Sequence, residues 1–520
     1  MSEQIEISSG VTIKESISTK ERACVEFVRA VCGAGKTFTY SRHINATPAS
    51  KFIVAAKTEI LCEQIQKGLP DSVLISTDNL NLRKTRDKAS VTSTICEAVK
   101  SYRYRVIVCS HKALELLSMR LHYDDALRLA MVDYQILIDE APENRKQLQT
   151  VIDLSLSGQY PWLAHTVTMN GLMYATDVHE LRKSLRAGDT KSAGLIVALI
   201  NGDKVRVQQL PGENKQLIKC SARSDLYIAA SIYNENKVTV IGSLIDKSPW
   251  FRTGLRNGFL SEATPSHKIV IPESRNKHHN TSRIKIYVLT DKKATKTGLA
   301  KHIDEVTAKA AELVSGIGKR FIWACNSDFE SQFGNAFGSV GNGVQVPYKS
   351  QGLNDYDDYQ VAVWLGCVNL PDHIKKDYGD EPEEATELEE WETLECCYQF
   401  LARTVIRKQG VLNIRDTVKP CHFIVLDSHQ ADYIKQNYFP DAEIVSDFEP
   451  VRIERKEQNE RVFTKGGKTR SAVFAAADVV KSQGAKKVTA KAVGDYLAGQ
   501  GEVIGKSQVS AYLREWKAEQ

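Results

Sequence analysis

The chain has 520 residues, 42% hydrophobic and 26% charged, with a formal net charge of +5, so at about 150 residues per domain it has the length for three or four ordinary globular domains. No uninterrupted apolar run approaches the 18 residues of a membrane span, and the first ten residues lack the basic start and apolar core of a signal peptide, so residence in the cytoplasm is expected. Eleven cysteines without a Cys-x-x-Cys spacing exclude an encoded zinc ribbon or iron–sulfur cluster and point to free thiols.

Residues 1–21 are polar and read as an arm. The apolar run 25–31 predicts a strand, and Gly33, Ala34, Gly35, Lys36 and Thr37 follow it where a helix begins. Glycines at these places let backbone N–H groups turn inward and, with a helix N-terminus, cradle a polyphosphate. Lys36 would then reach the β- and γ-phosphates of ATP, and the Thr37 hydroxyl would bind Mg²⁺. A structural turn is the alternative reading.

Strands are predicted at 52–56, 73–76, 105–109 and 134–138, with a helical pattern at 57–65 carried by Ile60, Leu61 and Ile65. Short strands alternating with helices predict an α/β fold with a parallel sheet, whose ligands bind at the carboxyl ends of the strands. The fourth of these strands delivers Asp139 and Glu140 to that edge. Asp139 would hold the Mg²⁺ shell and Glu140 would orient and deprotonate the attacking water; acids at a helix N-terminus are the alternative.

Residues 142–237 read as an insertion, with a helix near 180–187 and a hairpin of 204–208 and 215–219 turning at Pro211-Gly212. Strand 238–241 and Gly242-Ser243 follow. The segment 269–281 reads as a linker. In the second half, 284–289, 320–324, 361–365 and 421–426 are strand-like, 337–346 is a glycine-rich loop, and the acidic stretch 380–395 reads as a solvated surface helix, with repulsion of nucleic acid or covering of a cleft as alternatives. Gln399, Arg403 and Arg407 are spaced i, i+4, i+8 and share one face of a predicted helix; a surface helix with two exposed arginines and Leu401, Val405 and Ile406 on its buried side is the alternative.

From Arg461 to the end there are 11 Lys and Arg against 5 Asp and Glu, leaving 58 against 59 before it, so the basic excess lies in the last 60 residues. Helical spacing at 471–483, 489–498 and 506–516 predicts a small bundle with Val493, Leu497, Val509, Leu513 and Trp516 in its core. A folded basic module faces a polyanion, although a protein-binding bundle is the competing view.

These motifs resemble the superfamily-two (DEAD/DEAH-like) helicases. The loop has the A-x-x-G-x-G-K-T form common in helicases, and Asp139-Glu140-Ala141-Pro142 resembles their D-E-A-x motif. Thr58, Ser110 and His111 fall where the family follows the nucleic-acid backbone, with simple helix caps as the alternative reading, and Ser350 falls in a stretch resembling its fifth motif. Residues 399–407 resemble its sixth, whose Gln and paired Arg face the triphosphate. The family's second arginine usually sits one place earlier, so either Arg403 or Arg407 is the finger. Residues 238–243 occupy the third-motif place without its Ser-Ala-Thr.

The C-terminal pattern resembles helix-turn-helix heads of plasmid and phage regulators, with Lys506, Ser507, Gln508 and Ser510 opening the reading helix. The resemblance implies two RecA-like domains at 22–268 and 282–440, a basic linker at 441–470 and a helix-turn-helix-like module at 471–520. It further implies an ATP- and Mg²⁺-dependent DNA helicase in phage or plasmid replication or recombination, acting on single-stranded or forked DNA with replication or recombination partners. A duplex translocase without strand separation and an ATP-switched DNA-binding regulator are the alternatives.

Overall fold

The computed structural model describes residues 5–6, 12–13, 23–76, 90–186, 192–210, 213–224, 226, 238–258, 260–262, 269–348, 355–367, 382–407, 419–453, 465–482, 488–500, 509–510, 512–513 and 516. Two compact units divide the chain between Ile453 and Glu454. No helix among the described residues is long and apolar enough to cross a membrane.

The first unit holds two parallel sheets, each covered by helices. The first has the order Leu260–Glu262, Ala23–Arg29, Val238–Gly242, Tyr134–Asp139, Lys51–Ala56, Val106–Ser110 and Ser72–Ile75, all parallel. These strands read as continuous apolar runs because helices cover both faces. Ile53, Ile107 and Ile136 face one core with Leu114 and Trp250, while Phe52, Val54 and Val108 face the other with Tyr40 and Ile65. The second sheet has the order Gly343–Gln345, Phe321–Cys325, Val361–Leu365, Cys421–Asp427, Ile284–Thr290 and Glu443–Ile444, again parallel and packed on both sides.

Between the strand Tyr134–Asp139 and the strand Val238–Gly242 the chain builds a five-stranded antiparallel sheet with its own core. Its order is Arg145–Asp153, Lys215–Arg223, Val205–Gln209, Leu172–Ala175 and Thr166–Met169. The expected hairpin is its middle pair, with Val205 opposite Cys220 and Gln209 opposite Gln216; the turn at Pro211-Gly212 lies outside the described residues. The helix Ala193–Ile200 is apolar on every side and buried at every position but Gly194.

Two expectations from the second half are corrected. Within 337–346 most of the chain is ordered secondary structure: helix Glu330–Val340 runs through its first part and strand Gly343–Gln345 follows. Phe333 and Phe337, one helical turn apart, bury against Phe321 and Trp323, and that packing outweighs the glycines' weak helix propensity.

The acidic stretch is not a solvated surface helix. In helix Pro382–Glu390 the Glu384 side chain is fully buried, accepting from Arg145 Nε at 2.7 Å and NH2 at 2.8 Å and from Asn144. Glu387 accepts from Arg252 and Arg256. Cationic partners supplied by the first half thus replace water around these carboxylates.

In the second unit, helices Lys465–Ser482 and Ala490–Gly499 pack with Val509, Leu513 and Trp516 around a small core. Thr489 caps the second helix by accepting from Ala492 N at 3.2 Å, and Trp516 Nε1 donates to Asp478 at 3.0 Å.

Candidate nucleotide site

The strand Val238–Gly242 lies between the strand that leads to the glycine loop and the strand that ends in Asp139. Its last residues hold both neighbours in place: Ala30 N donates to Gly242 O at 2.8 Å, and Glu140 N donates to Ile241 O at 2.8 Å. A Cβ at Gly242 would stand 2.7 Å from the end of the Ile245 side chain and 3.0 Å from Glu140 Oε2, so a larger residue there would push on both.

The loop turns through Gly33 and Gly35, at φ +85° and +82°, into helix Lys36–Ala46. Lys36 Nζ forms an ion pair with Glu140 Oε1. Burial by itself would lower the Lys36 pKa, but Glu140 and then Asp139 raise it, so the ammonium stays charged. Asp139 is raised to about 6 by burial, with Lys36 pulling it down. Tyr40, one helical turn beyond Lys36, donates its OH to Asp139 Oδ2 at 3.1 Å. Asp139 Oδ1 is buried and has no hydrogen-bond partner among the described residues, an arrangement that fits a cation ligand. Thr37, the next residue after Lys36, stands at the same helix start. Glu140 adopts φ +70°, the left-handed region a non-glycine residue rarely occupies, at a cost of about 1–2 kcal/mol.

The second sheet brings its own groups to this place. Gln399 Nε2 donates to Glu140 Oε2 at 3.4 Å. A Cβ on Gly33 would stand 2.5 Å from the Arg407 carbonyl oxygen and 3.2 Å from its Cγ, so Arg407 lies against the loop. Burial raises the Cys32 thiol pKa, while Lys36, Arg403 and Arg407 act against that rise, which marks three cations converging on the loop. Arg403 is itself buried.

The three polar residues do not, however, share one continuous helix. Helix Cys396–Leu401 stops because Val405 N donates to Tyr359 O at 2.9 Å, and Thr404 turns its hydroxyl onto Leu401 O at 2.9 Å. They reach the loop from a helix end and the turn after it.

Several residues here carried no functional reading in the sequence. Asn276, in the segment read as a linker, accepts from Val31 N at 3.1 Å and donates to Arg29 O at 2.9 Å. Tyr398 OH accepts from Cys32 N at 2.9 Å and lies 2.9 Å from His278 Nε2. Only Tyr40 had a signal, its i+4 spacing from Lys36 on a predicted helix.

Thr58 and Ser110 sit at the carboxyl ends of neighbouring strands and cap the helices that follow, accepting from Leu61 N at 3.3 Å and Ala113 N at 3.2 Å. His111 Nε2 is 3.0 Å from Asp139 O, and burial lowers its pKa to about 4, so the ring is neutral. Ser350, Lys506, Ser507 and Gln508 lie outside the described residues; Ser510 is half-buried beside Val509 in the second unit.

No protein-family model matches this sequence, and no similar curated protein was found. Solved structures that align with it include that of S. tokodaii Xpd4, at 12% identity and TM-score 0.39, covering 82% of this chain and 96% of that one. Another is S. cerevisiae Dbp5 bound to RNA and ADP BeF3, at 11% identity and TM-score 0.37, covering 83% of this chain and 86% of that one.

Proposed function

We propose that the chain is a nucleic-acid-dependent ATPase that acts as a DNA helicase or translocase of the superfamily-two type. The observation that carries this reading is the meeting of Lys36 and Glu140, from one parallel sheet, with Gln399 and Arg407, from the other, at a single glycine loop. A nucleotide held there is touched from both sides, so its hydrolysis is coupled to the relative position of the two sheets.

In this mechanism the loop N–H groups of residues 33–37 and Lys36 bind the β- and γ-phosphates. Thr37 and Asp139 would hold Mg²⁺, which would supply positive charge to neutralise the phosphate oxygens. Glu140 orients water and takes its proton, Gln399 holds Glu140 from the opposite side, and Arg403 or Arg407 stabilises the charge that develops in transfer.

The division proposed is an arm at 1–21, RecA-like domains at 22–268 and from 282 onward joined by 269–281, the inserted sheet within 142–237 and the DNA-binding module at 471–520; the second domain extends past 440 to Ile453, because strand Glu443–Ile444 pairs with Ile284–Thr290 and Ile453 is buried in its core, so the linker expected at 441–470 begins only after Ile453. Thr58, Ser110, His111 and Ser350 are proposed to follow the nucleic-acid backbone. A cleft of about 200 Å³ beside His111 whose lining includes Lys57, Lys112 and Lys146 supports this, although Glu115 and Glu143 line it too. Lys506, Ser507, Gln508 and Ser510 are proposed to read DNA, in the setting of phage or plasmid replication or recombination.

The test is ATP hydrolysis measured without nucleic acid and with single-stranded DNA, duplex, fork and RNA. Stimulation by a DNA is the expected result, and a rate that no nucleic acid changes overturns the reading.

A further inference from the structure

Glu395 is almost completely buried, at 1% exposure, in the core of the second half, and the mechanism above makes no use of it. It closes the π-helical turn Trp391–Glu395, where the backbone widens just before the helix that carries Gln399. Four donors converge on its carboxylate. Oε1 accepts from Ser243 Oγ and from Gln399 Nε2 at 3.4 Å; Oε2 accepts from Tyr438 OH at 2.6 Å and Tyr433 OH at 3.3 Å. That fills the acceptor capacity of one carboxylate.

Two features of this cluster point beyond packing. The Gln399 amide nitrogen donates to Glu395 and to Glu140 at the same 3.4 Å, so it stands between two carboxylates that each accept one of its hydrogens. With acceptors on both sides, the amide's orientation is fixed with nitrogen toward Glu140. Ser243, in turn, belongs to the first half, directly after Gly242, whose backbone packs against Glu140. One buried carboxylate therefore grips the water-activating glutamate's partner and the neighbouring strand end of the opposite half.

We infer that Glu395 is a positioning residue for hydrolysis: it holds the Gln399 amide on Glu140 and, through Ser243, makes that hold depend on the alignment of the two sheets. The inference rests on the ATPase reading and deepens it. Without Glu395 the Gln399 amide loses the acceptor that opposes Glu140, and Glu140, already in a strained backbone conformation, loses a donor held from its far side.

The test is steady-state ATP hydrolysis by the full chain, with single-stranded DNA and with RNA in parallel, for wild type, Glu395→Gln, Gln399→Ala and the double variant, with melting temperatures for each. The expected result is a fall in kcat of about tenfold for Glu395→Gln with KM for ATP within about twofold, and a double variant no slower than Gln399→Ala alone, because one residue acts through the other. Ser243→Ala, which removes the cross-sheet donor without stranding a charge, serves if Glu395→Gln fails to fold; it too should lower kcat and spare KM. An unchanged kcat in the folded variants, or losses that multiply in the double variant, overturns the inference. A wild type that hydrolyses no ATP under any of these conditions removes the ATPase reading itself, whereas an active wild type with an unaffected Glu395→Gln removes only the positioning role.

Discussion

Gln399 and Glu140, 259 positions apart in the chain, meet through Nε2 and Oε2 at 3.4 Å, on the same carboxylate that pairs with Lys36. The carboxylate proposed to activate water is thus held by the loop of one sheet and by a helix end of the other. Lys36→Ala should abolish turnover, since loss of the phosphate contact and its charge costs on the order of 4 kcal/mol, about a thousandfold in rate. Glu140→Gln keeps the shape but loses the base. It should bind ATP as wild type does and fail to hydrolyse it, which nucleotide-binding and single-turnover measurements separate; a variant that cannot bind ATP contradicts the role given to Glu140.

Arg403→Ala and Arg407→Ala should each lower kcat with less effect on nucleotide affinity, and the one serving as finger should cost on the order of 10³-fold. Arg407 lies against Gly33 and Arg403 is buried, so melting temperature must be read beside rate. Two folded variants with wild-type turnover would leave residues 399–407 without a catalytic part.

The strands were legible because parallel strands covered on both faces leave near-continuous apolar runs, as in 52–56 and 361–365. The glycine loop and Asp139-Glu140 were legible because their spacing is local. What joins the two halves was not. Arg145 and Glu384 are 239 positions apart and Val31 and Asn276 245 apart, and no period or composition marks such a pair. An acidic run looks the same whether water or arginine surrounds it, which is why 380–395 reads as a surface helix. The break after Leu401 was hidden for a related reason: the N–H of Val405 is claimed by Tyr359, a partner that only the fold supplies.

The Arg145–Glu384 pair gives a stability test. Glu384→Ala leaves a mostly buried guanidinium and Asn144 without their shared acceptor, and should cost about 3–5 kcal/mol, seen as a melting temperature lower by several degrees. Replacing both partners, Arg145→Met with Glu384→Leu, should recover most of that stability, because no buried charge is then left unpaired. A Glu384→Ala protein as stable as wild type would mean that the contact adds nothing to the joining of the halves.

His278 carries a pH dependence of defined sign. Burial, with smaller effects from His279 and Arg283, lowers its pKa to about 3, against an ordinary value of 6.5. As pH falls, the unfolded chain binds this proton before the folded one does, so the stabilising effect is full above about 6.5 and is lost progressively between 6.5 and 3. Glu395, raised to about 7 by burial, acts in the opposite sense, since its folded form takes the proton first and gains stability as pH falls from 7 toward 4.5. His278→Gln should therefore flatten the acid-side decline of melting temperature between pH 6.5 and 5 relative to wild type. An identical decline in both proteins would show that His278 is not the group responsible.

Removal of the second unit tests whether the proposed motor and the proposed DNA-reading module are separable. A chain ended after Ile453 keeps both parallel sheets and every residue assigned to ATP, because the second unit is compact in itself with its own core. It lacks the whole basic excess of the last 60 residues. Basal ATP hydrolysis should survive the truncation. DNA affinity should fall, and the slope of log affinity against log salt should become shallower by about one for each phosphate that the second unit had neutralised, a few at most. In the full chain, replacing Gln508 and Ser510 with alanine changes no charge; it should spare the salt slope while flattening any preference between DNA sequences, since base edges rather than phosphates carry sequence information. If the truncated chain matches the full chain in both affinity and salt slope, the second unit binds a protein partner instead, and the sheets alone account for the grip on nucleic acid.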